Sequence, residues 1–142
     1  IDPKHENISR SRELKQITRW FVVLLAVMVQ LVIVLSGIGM EINVGSVISI
    51  PIALMFVAAG NYLPKCKQNY TMGIKLPWTL ADEDNWNRTH RLAGYVWTAG
   101  GILMLIMGFF HLAYLFFLVF MAMVLIPSVY SYLIYRKKLK GI

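Results

Sequence analysis

Cysteine is almost absent from this sequence. Cys66 stands alone, which excludes an intramolecular disulfide, and no CxxC or Cys/His ligand pattern accompanies it. Charge is scarce as well: 15% of residues are charged, against about a quarter in soluble domains. Acidic residues number 7 against 14 basic ones. The HExxH and GxSxG motifs are missing, and with them the usual markers of zinc and serine hydrolases. No internal repeat or low-complexity segment occurs. No cleavable signal peptide is expected, because the first apolar run is too long and lacks a small-residue cleavage site. The formal charge of +7 could suggest nucleic acid, but no nucleic-acid-binding motif is present and no direct contact with nucleic acid is expected. Basic residues beside membrane spans fix topology and meet anionic lipid headgroups.

What is abundant is apolar sequence. Hydrophobic residues make up 58% of the chain and mean hydropathy is +0.61. A membrane-crossing helix needs about 20 mainly apolar residues. Uncharged runs cover Trp20–Met40, Ile42–Pro64 and Leu92–Tyr135. The last is long enough for two helices, with a turn expected near Gly108–Leu112, where His111 interrupts it. The expected fold is an all-α integral membrane protein, four transmembrane helices in a small bundle of two hairpins. Its expected organisation is a polar segment at 1–19 and a transmembrane domain at 20–142 with a long loop at 65–91.

Lysine and arginine set the expected orientation. Lys4, Arg10, Arg12, Lys15 and Arg19 precede the first apolar run. Lys65, Lys67, Lys75, Arg88 and Arg91 lie between the second and third helices, and Arg136, Lys137, Lys138 and Lys140 follow the fourth. The two short connections have none, and Glu41 is the charged residue there. Both termini and the long loop are therefore expected to be cytoplasmic, in a multi-pass protein with N-in and C-in topology.

Within the runs, several residues carry structural expectations. Ile8, Leu14 and Ile17 share one helical face, either of an interfacial helix or of an extension of the first span. Trp20 marks headgroup level, as Tyr130, Tyr132 and Tyr135 do at the other terminus. Gln30, a polar amide amid hydrocarbon, is expected to find an interhelical hydrogen bond. Pro51 and Pro127 are expected to bend the second and fourth helices. Ser46, Ser49, Ala53 and Gly60 give the second helix a small-residue face. In the third, Gly94, Thr98, Gly101, Leu105 and Gly108 fall on one side. That spacing reads as a packing stripe, because small residues let membrane helices approach closely.

The stretch 60–94, GNYLPKCKQNYTMGIKLPWTLADEDNWNRTHRLAG, departs from all this. A passive connector needs only a few small polar residues, whereas this one is long, charged and aromatic. Pro64 ends or kinks the second helix. Lys65 and Lys67 alternate with Cys66 and Gln68, so an extended strand would put both ammonium groups on one side. Gly73 permits a tight turn or positive φ, and Pro77 stiffens the approach to Trp78. Thr79 and Asp82 have capping-box spacing. Asp82, Glu83 and Asp84 suit a first helical turn, where the helix dipole favours negative charge. From there one helix can run into the membrane with Trp86, Thr89, His90, Ala93 and Trp97 on one face. The acidic cluster with His90 is a poor metal site: consecutive carboxylates diverge around a helix, and zinc needs about four ligands. No metal, cofactor or catalytic residue is expected. Trp78 and Trp86 could rest on headgroups, and Lys65, Lys67 and Lys75 could meet lipid phosphate. Topology alone does not require Asn61, Asn69, Gly73, Pro77, Trp78 and Thr89 as well, so the loop is expected to have a defined shape that binds something.

The order of residues from Gly60 to Gly94 resembles the signature of the SdpI family of bacterial membrane proteins. The resemblance is carried by Asn61, Pro64, Lys65, Lys67, Asn69, Gly73, Lys75, Pro77, Trp78, Thr79, Trp86, Thr89, His90 and Arg91. It implies a non-enzymatic protein of the bacterial cell membrane that confers immunity to a secreted, membrane-active peptide toxin. It further implies a signalling role, in which the protein holds a cytoplasmic repressor at the membrane, and it makes those loop residues the binding surface. Such proteins carry two more helices upstream, so 1–19 would be the linker following them. Two other readings stand beside it. One is a small membrane enzyme or lipid-handling protein using His90 and the acidic cluster near the headgroups. The other is a structural subunit or oligomer whose third-helix glycine stripe faces a partner chain.

Overall fold

The computed structural model describes residues 12–141. Most of the polar segment expected at 1–19, with Lys4, Ile8 and Arg10, lies outside the described residues, as does the side chain of Leu14. Five α-helices follow in order: α1 (Arg12–Gly37), α2 (Val44–Tyr62), α3 (Pro77–Ala81), α4 (Glu83–Phe109) and α5 (Ala113–Leu139). No strand occurs among the described residues. Four helices, α1, α2, α4 and α5, are long and apolar enough to cross a membrane. The polar residues from Arg12 to Arg19 are continuous with the first span, as an extension of that helix rather than a separate one. Pro51 and Pro127 both sit buried inside helices that continue through them.

The short connections are tight. Gly39 takes φ +88° after α1, and Asn43 caps α2 by accepting the Ser46 N–H at 3.0 Å. Between α4 and α5 the turn falls at Phe110–Leu112, where the sequence places it, with His111 at φ +56°. A non-glycine residue rarely adopts that conformation.

The helices pack in the order α1, α2, α4, α5, with the α2–α4 seam joining two hairpins. The stripe on α4 makes this seam. A Cβ on Gly101 would lie 2.9 Å from the Ala53 carbonyl oxygen, and one on Gly94 2.5 Å from the Pro64 ring. From the other side, a Cβ on Gly60 would lie 2.7 Å from the Thr98 backbone nitrogen. Gly108 meets Ser49 in the same way. The stripe is thus consumed within the chain, and the reading that turns it toward a partner chain is corrected. Beside the seam, Ala53, Phe56, Met104 and Met123 form an apolar core, with Phe56 edge-on to Trp97 at 5.0 Å between ring centres.

Helix α1 is peripheral. Val32 is its buried apolar residue, and the rest of its described apolar side chains are exposed or half-buried. Gln30 is exposed, so the interhelical hydrogen bond expected of it does not form within the described residues. Two residues along a helix turn the side chain by about 200°, which carries Gln30 away from the side where Val32 meets the bundle.

Candidate functional site

The segment between α2 and α4 folds as a cap in which hydrogen-bonded polar side chains surround an apolar cluster of Ala59, Cys66 and Trp86. It begins with a 3₁₀ turn, Leu63–Lys65, placed by Pro64. No strand forms here: a 3₁₀ turn ends at Lys65 and an Asn69 turn follows Gln68. The alternation nonetheless survives: Lys65 and Lys67 are exposed while Cys66 and Gln68 are buried. Gln68 donates to the carbonyls of Thr79 and Leu80 at 2.8 Å each, tying the start of the loop to α3. The Asn69 side chain accepts from the N–H groups of Thr71 and Met72, at 2.9 and 2.6 Å, and donates to the Lys67 carbonyl at 2.7 Å. An asparagine that bonds the backbone two residues ahead replaces a turn hydrogen bond.

Gly73 brings the chain against α4. Its φ is +109°, and a Cβ there would lie 2.5 Å from His90 Nε2 and 2.9 Å from the Trp86 ring. The adjacent Ile74 N–H donates to His90 Nε2 at 2.9 Å. That nitrogen must therefore accept, which leaves Nδ1 to donate to the Trp86 carbonyl at 2.8 Å. The imidazole stacks on Trp86 with ring centres 4.0 Å apart. The Trp86 indole N–H in turn donates to the Cys66 carbonyl at 2.8 Å. Asn69, Thr79, Asn85, Trp86, Thr89 and His90 are all 0% exposed, and no buried side-chain nitrogen or oxygen among the described residues lacks a partner.

Thr79 does something other than its spacing suggests. It does not cap α4, because a separate helix, α3, ends at Ala81 between them. Its hydroxyl instead accepts from the Leu76 N–H at 2.9 Å and donates to the Ile74 carbonyl at 2.8 Å, closing the start of α3. Pro77 opens α3, where the missing N–H is harmless. Asp82 is the residue that caps α4, accepting the Asp84 N–H at 3.1 Å. Glu83 and Asp84 occupy the first turn as expected.

The cap is also clamped to α5. Trp78 donates its indole N–H to Ser131 Oγ and packs against Tyr132 and Tyr135, ring centres 5.4 and 5.8 Å away. Asn85 donates to the Ser131 carbonyl at 3.0 Å and accepts from the Thr89 hydroxyl at 3.0 Å. Lys138 bridges Asp82 and Asp84 at 2.6 and 2.8 Å, and Arg88 pairs with Asp84 at 3.0 Å.

The fourteen signature residues therefore divide. Asn69, Gly73, Thr79, Trp86, Thr89 and His90 build the cap, and Trp78 docks it. Asn61, Pro64, Lys65, Lys67, Lys75, Pro77 and Arg91 remain exposed. Of these, Asn61, Pro64 and Arg91 come together along one groove between α2 and α4. Lys65 lies over the Tyr62 ring at 4.9 Å, and Lys75 donates to the Thr71 carbonyl at 3.1 Å. Sequence reasoning missed Gln68, Asn85, Ser131 and Lys138 as working parts. For Asn85 a signal existed, since it stands four residues before Thr89 on the face already marked by Trp86. Ser131 and Lys138 carried none, because their partners lie 46 or more residues away.

Both His90 nitrogens are engaged, so the ring is not presented as a base. No group of three or more metal-capable side chains occurs among the described residues. At the opposite end of the bundle, a cavity of about 400 Å³ is lined by Asn43, Ser46, Ser49 and His111 among apolar residues. Ser46 donates to the Gly108 carbonyl at 3.0 Å while contacting His111 Nδ1.

Residues 65–131 match the SdpI/YfhL protein family, and the resemblance read from residues 60–94 stands. The chain is 31% identical over 121 residues to a protein of Bacillus subtilis (strain 168) named immunity protein SdpI. That similarity covers 83% of this chain but 58% of the relative's length. No solved structure matches the chain significantly.

Proposed function

We propose, on the premise that this is an SdpI-type membrane protein, that the chain serves in immunity and signal transduction. In this reading it protects a bacterial cell against a membrane-active peptide toxin, and its loop holds a transcriptional repressor at the membrane. The observation that carries the reading is the division within the loop. A connector without a binding role has no need of a hydrogen-bonded core of this density. Here the buried half fixes the shape, and Lys65 and Lys67 project from it. A rigid surface loses less conformational entropy when it binds, and a conformational signal needs a partner that prefers one arrangement of that surface.

The distribution of basic residues favours a cytoplasmic loop and cytoplasmic termini under the positive-inside rule, which is where a repressor would be met. The competing reading, an enzyme or lipid-handling protein built on His90 and the acidic cluster, loses those residues: the histidine is enclosed, and Asp82 and Asp84 are paired with Lys138 and Arg88.

The test is the double variant Lys65→Glu/Lys67→Glu in the protein at its full natural length. Both side chains are exposed, so membrane insertion and melting temperature should match the parent. Survival of toxin-exposed cells, or recruitment of the repressor to membranes, should fall at least about tenfold, as expected on losing two charged contacts. Parental survival together with parental recruitment would sink the proposal.

A further inference from the structure

A groove of about 620 Å³ runs along the outside of the α2–α4 seam. Gly60, Pro64, Gly94 and Thr98 line it between its two ends. Asn61 and Arg91 stand at one end, and Ala99 and Ile102 at the other. Arg91 differs from its neighbours in charge pairing. Arg88 and Lys138 are held by Asp84, and Lys138 also by Asp82. Among the described residues, no carboxylate pairs with Arg91.

The depth of the groove follows from the helix. α4 has 27 residues, about 40 Å at 1.5 Å per residue, whereas the hydrocarbon core is about 30 Å thick. Counting about 20 residues back from Phe109 reaches His90 and Arg91. Arg91 therefore stands at the level of the headgroups, and Ile102 lies about 16 Å deeper, in the hydrocarbon. The groove is cationic where lipid phosphates lie and apolar where acyl chains lie.

We infer that this groove is a binding site for one anionic phospholipid, its phosphate held by Arg91 and Asn61 and an acyl chain laid past Tyr95 and Ala99 toward Ile102. The guanidinium is a planar fork of donors that matches phosphate oxygens two at a time. The Asn61 amide adds a neutral donor beside it. A free anion would use only the mouth, and a zwitterionic phospholipid offers the same phosphate but brings a quaternary ammonium that the guanidinium repels. Both halves of the groove are used by an anionic lipid. This site does not depend on the immunity reading, since neither Lys65 nor Lys67 lines it.

The experiment is native mass spectrometry of the purified protein titrated with phosphatidylglycerol or phosphatidylcholine in detergent. The parent should bind one phosphatidylglycerol in preference to phosphatidylcholine. Arg91→Gln should lower that preference about tenfold, the scale of one charged hydrogen bond. Ala99→Trp, which fills the apolar end and leaves Arg91 intact, should lower binding of both lipids. Arg88→Gln, outside the groove, should leave both unchanged. Equal affinity of the parent for the two lipids, or undiminished preference in Arg91→Gln, would overturn the inference. So would displacement of the lipid by inorganic phosphate alone, which would make the mouth an anion site only. A co-purifying peptide that occupies the groove in place of lipid would overturn it too.

Discussion

Along the α2–α4 seam, helices meet through what their side chains lack. Gly60, Gly94 and Gly101 let backbone approach backbone, and a single methyl group at any of them would collide with its neighbour. A few turns away, in the cap, the same two helices are joined by side chains rich in donors and acceptors. There Trp86 and His90 each complete a backbone group far back in the loop, at Cys66 and Ile74, while Asn69 and Thr79 close turns within the loop itself. The difference follows from the surroundings. Lipid offers no hydrophobic gain for bringing two helices together, so close packing must supply it. Outside the hydrocarbon, a loop without regular structure must find a partner for every buried N–H and carbonyl, and polar side chains supply those partners. The chain uses steric precision in one region and hydrogen-bond satisfaction in the other.

The largest loss is expected at the seam. Gly101→Val places a branched side chain where even a Cβ comes within 2.9 Å of the Ala53 carbonyl. Backbone cannot yield as a side-chain tip can, so the expected cost is about 3 kcal/mol, the upper end for overpacking. Purified protein should melt well below the parent or elute as aggregate on size exclusion. Gly37→Ala, with nothing within 4 Å of the added carbon, is the matched control and should melt with the parent. A seam that accepted Gly101→Val without loss would show that the helices are not held by close approach.

His90→Phe tests the cap. The ring can keep its stacking on Trp86, but it is larger than imidazole and presses on Gly73, and the Ile74 N–H loses its acceptor. Leaving one buried donor unsatisfied costs about 1–3 kcal/mol. Amide exchange should accelerate at Ile74 and its loop neighbours while the α2–α4 seam remains protected. If exchange rose equally in both regions, cap and seam would be one cooperative unit rather than two.

The smallest effect is expected at the clamp between the cap and α5. Lys138→Met removes the bridge to Asp82 and Asp84 but leaves the Trp78 and Asn85 bonds to Ser131. Exposed ion pairs contribute little and are screened by salt. The variant should melt close to the parent at high ionic strength, with any deficit appearing only at low salt. A large loss in both conditions would move the clamp's strength from Trp78 to Lys138.

Much of the fold was legible in the residue order. Apolar run length marked the four spans, and His111 with Gly108 marked the turn between α4 and α5. The spacing of Gly94, Gly101 and Gly108 marked the seam before any partner helix was known. Gly73 announced its positive φ, because no other residue is as readily placed there. The site was legible in part. The signature identified the loop but could not separate residues that build it from residues it displays. Trp78 and His90 look equally suited to binding in the sequence, yet one is docked on α5 and the other sealed beneath Gly73. Thr79 misled because capping-box spacing is local, and a five-residue helix ending at Ala81 intervened.

The sequence by itself determined the class of this protein, its count of spans, the asymmetry of its basic residues and its family resemblance. These properties follow from composition and from periodicities of a few residues, which act along the chain. Tertiary structure alone decided which loop residues are scaffold and which are surface, and that Ser131 and Lys138 anchor a cap 46 or more residues upstream. It likewise decided that Asn61 and Arg91 share a groove. Those outcomes depend on how α2, α4 and α5 are set against one another, and one seam of missing side chains largely governs that arrangement.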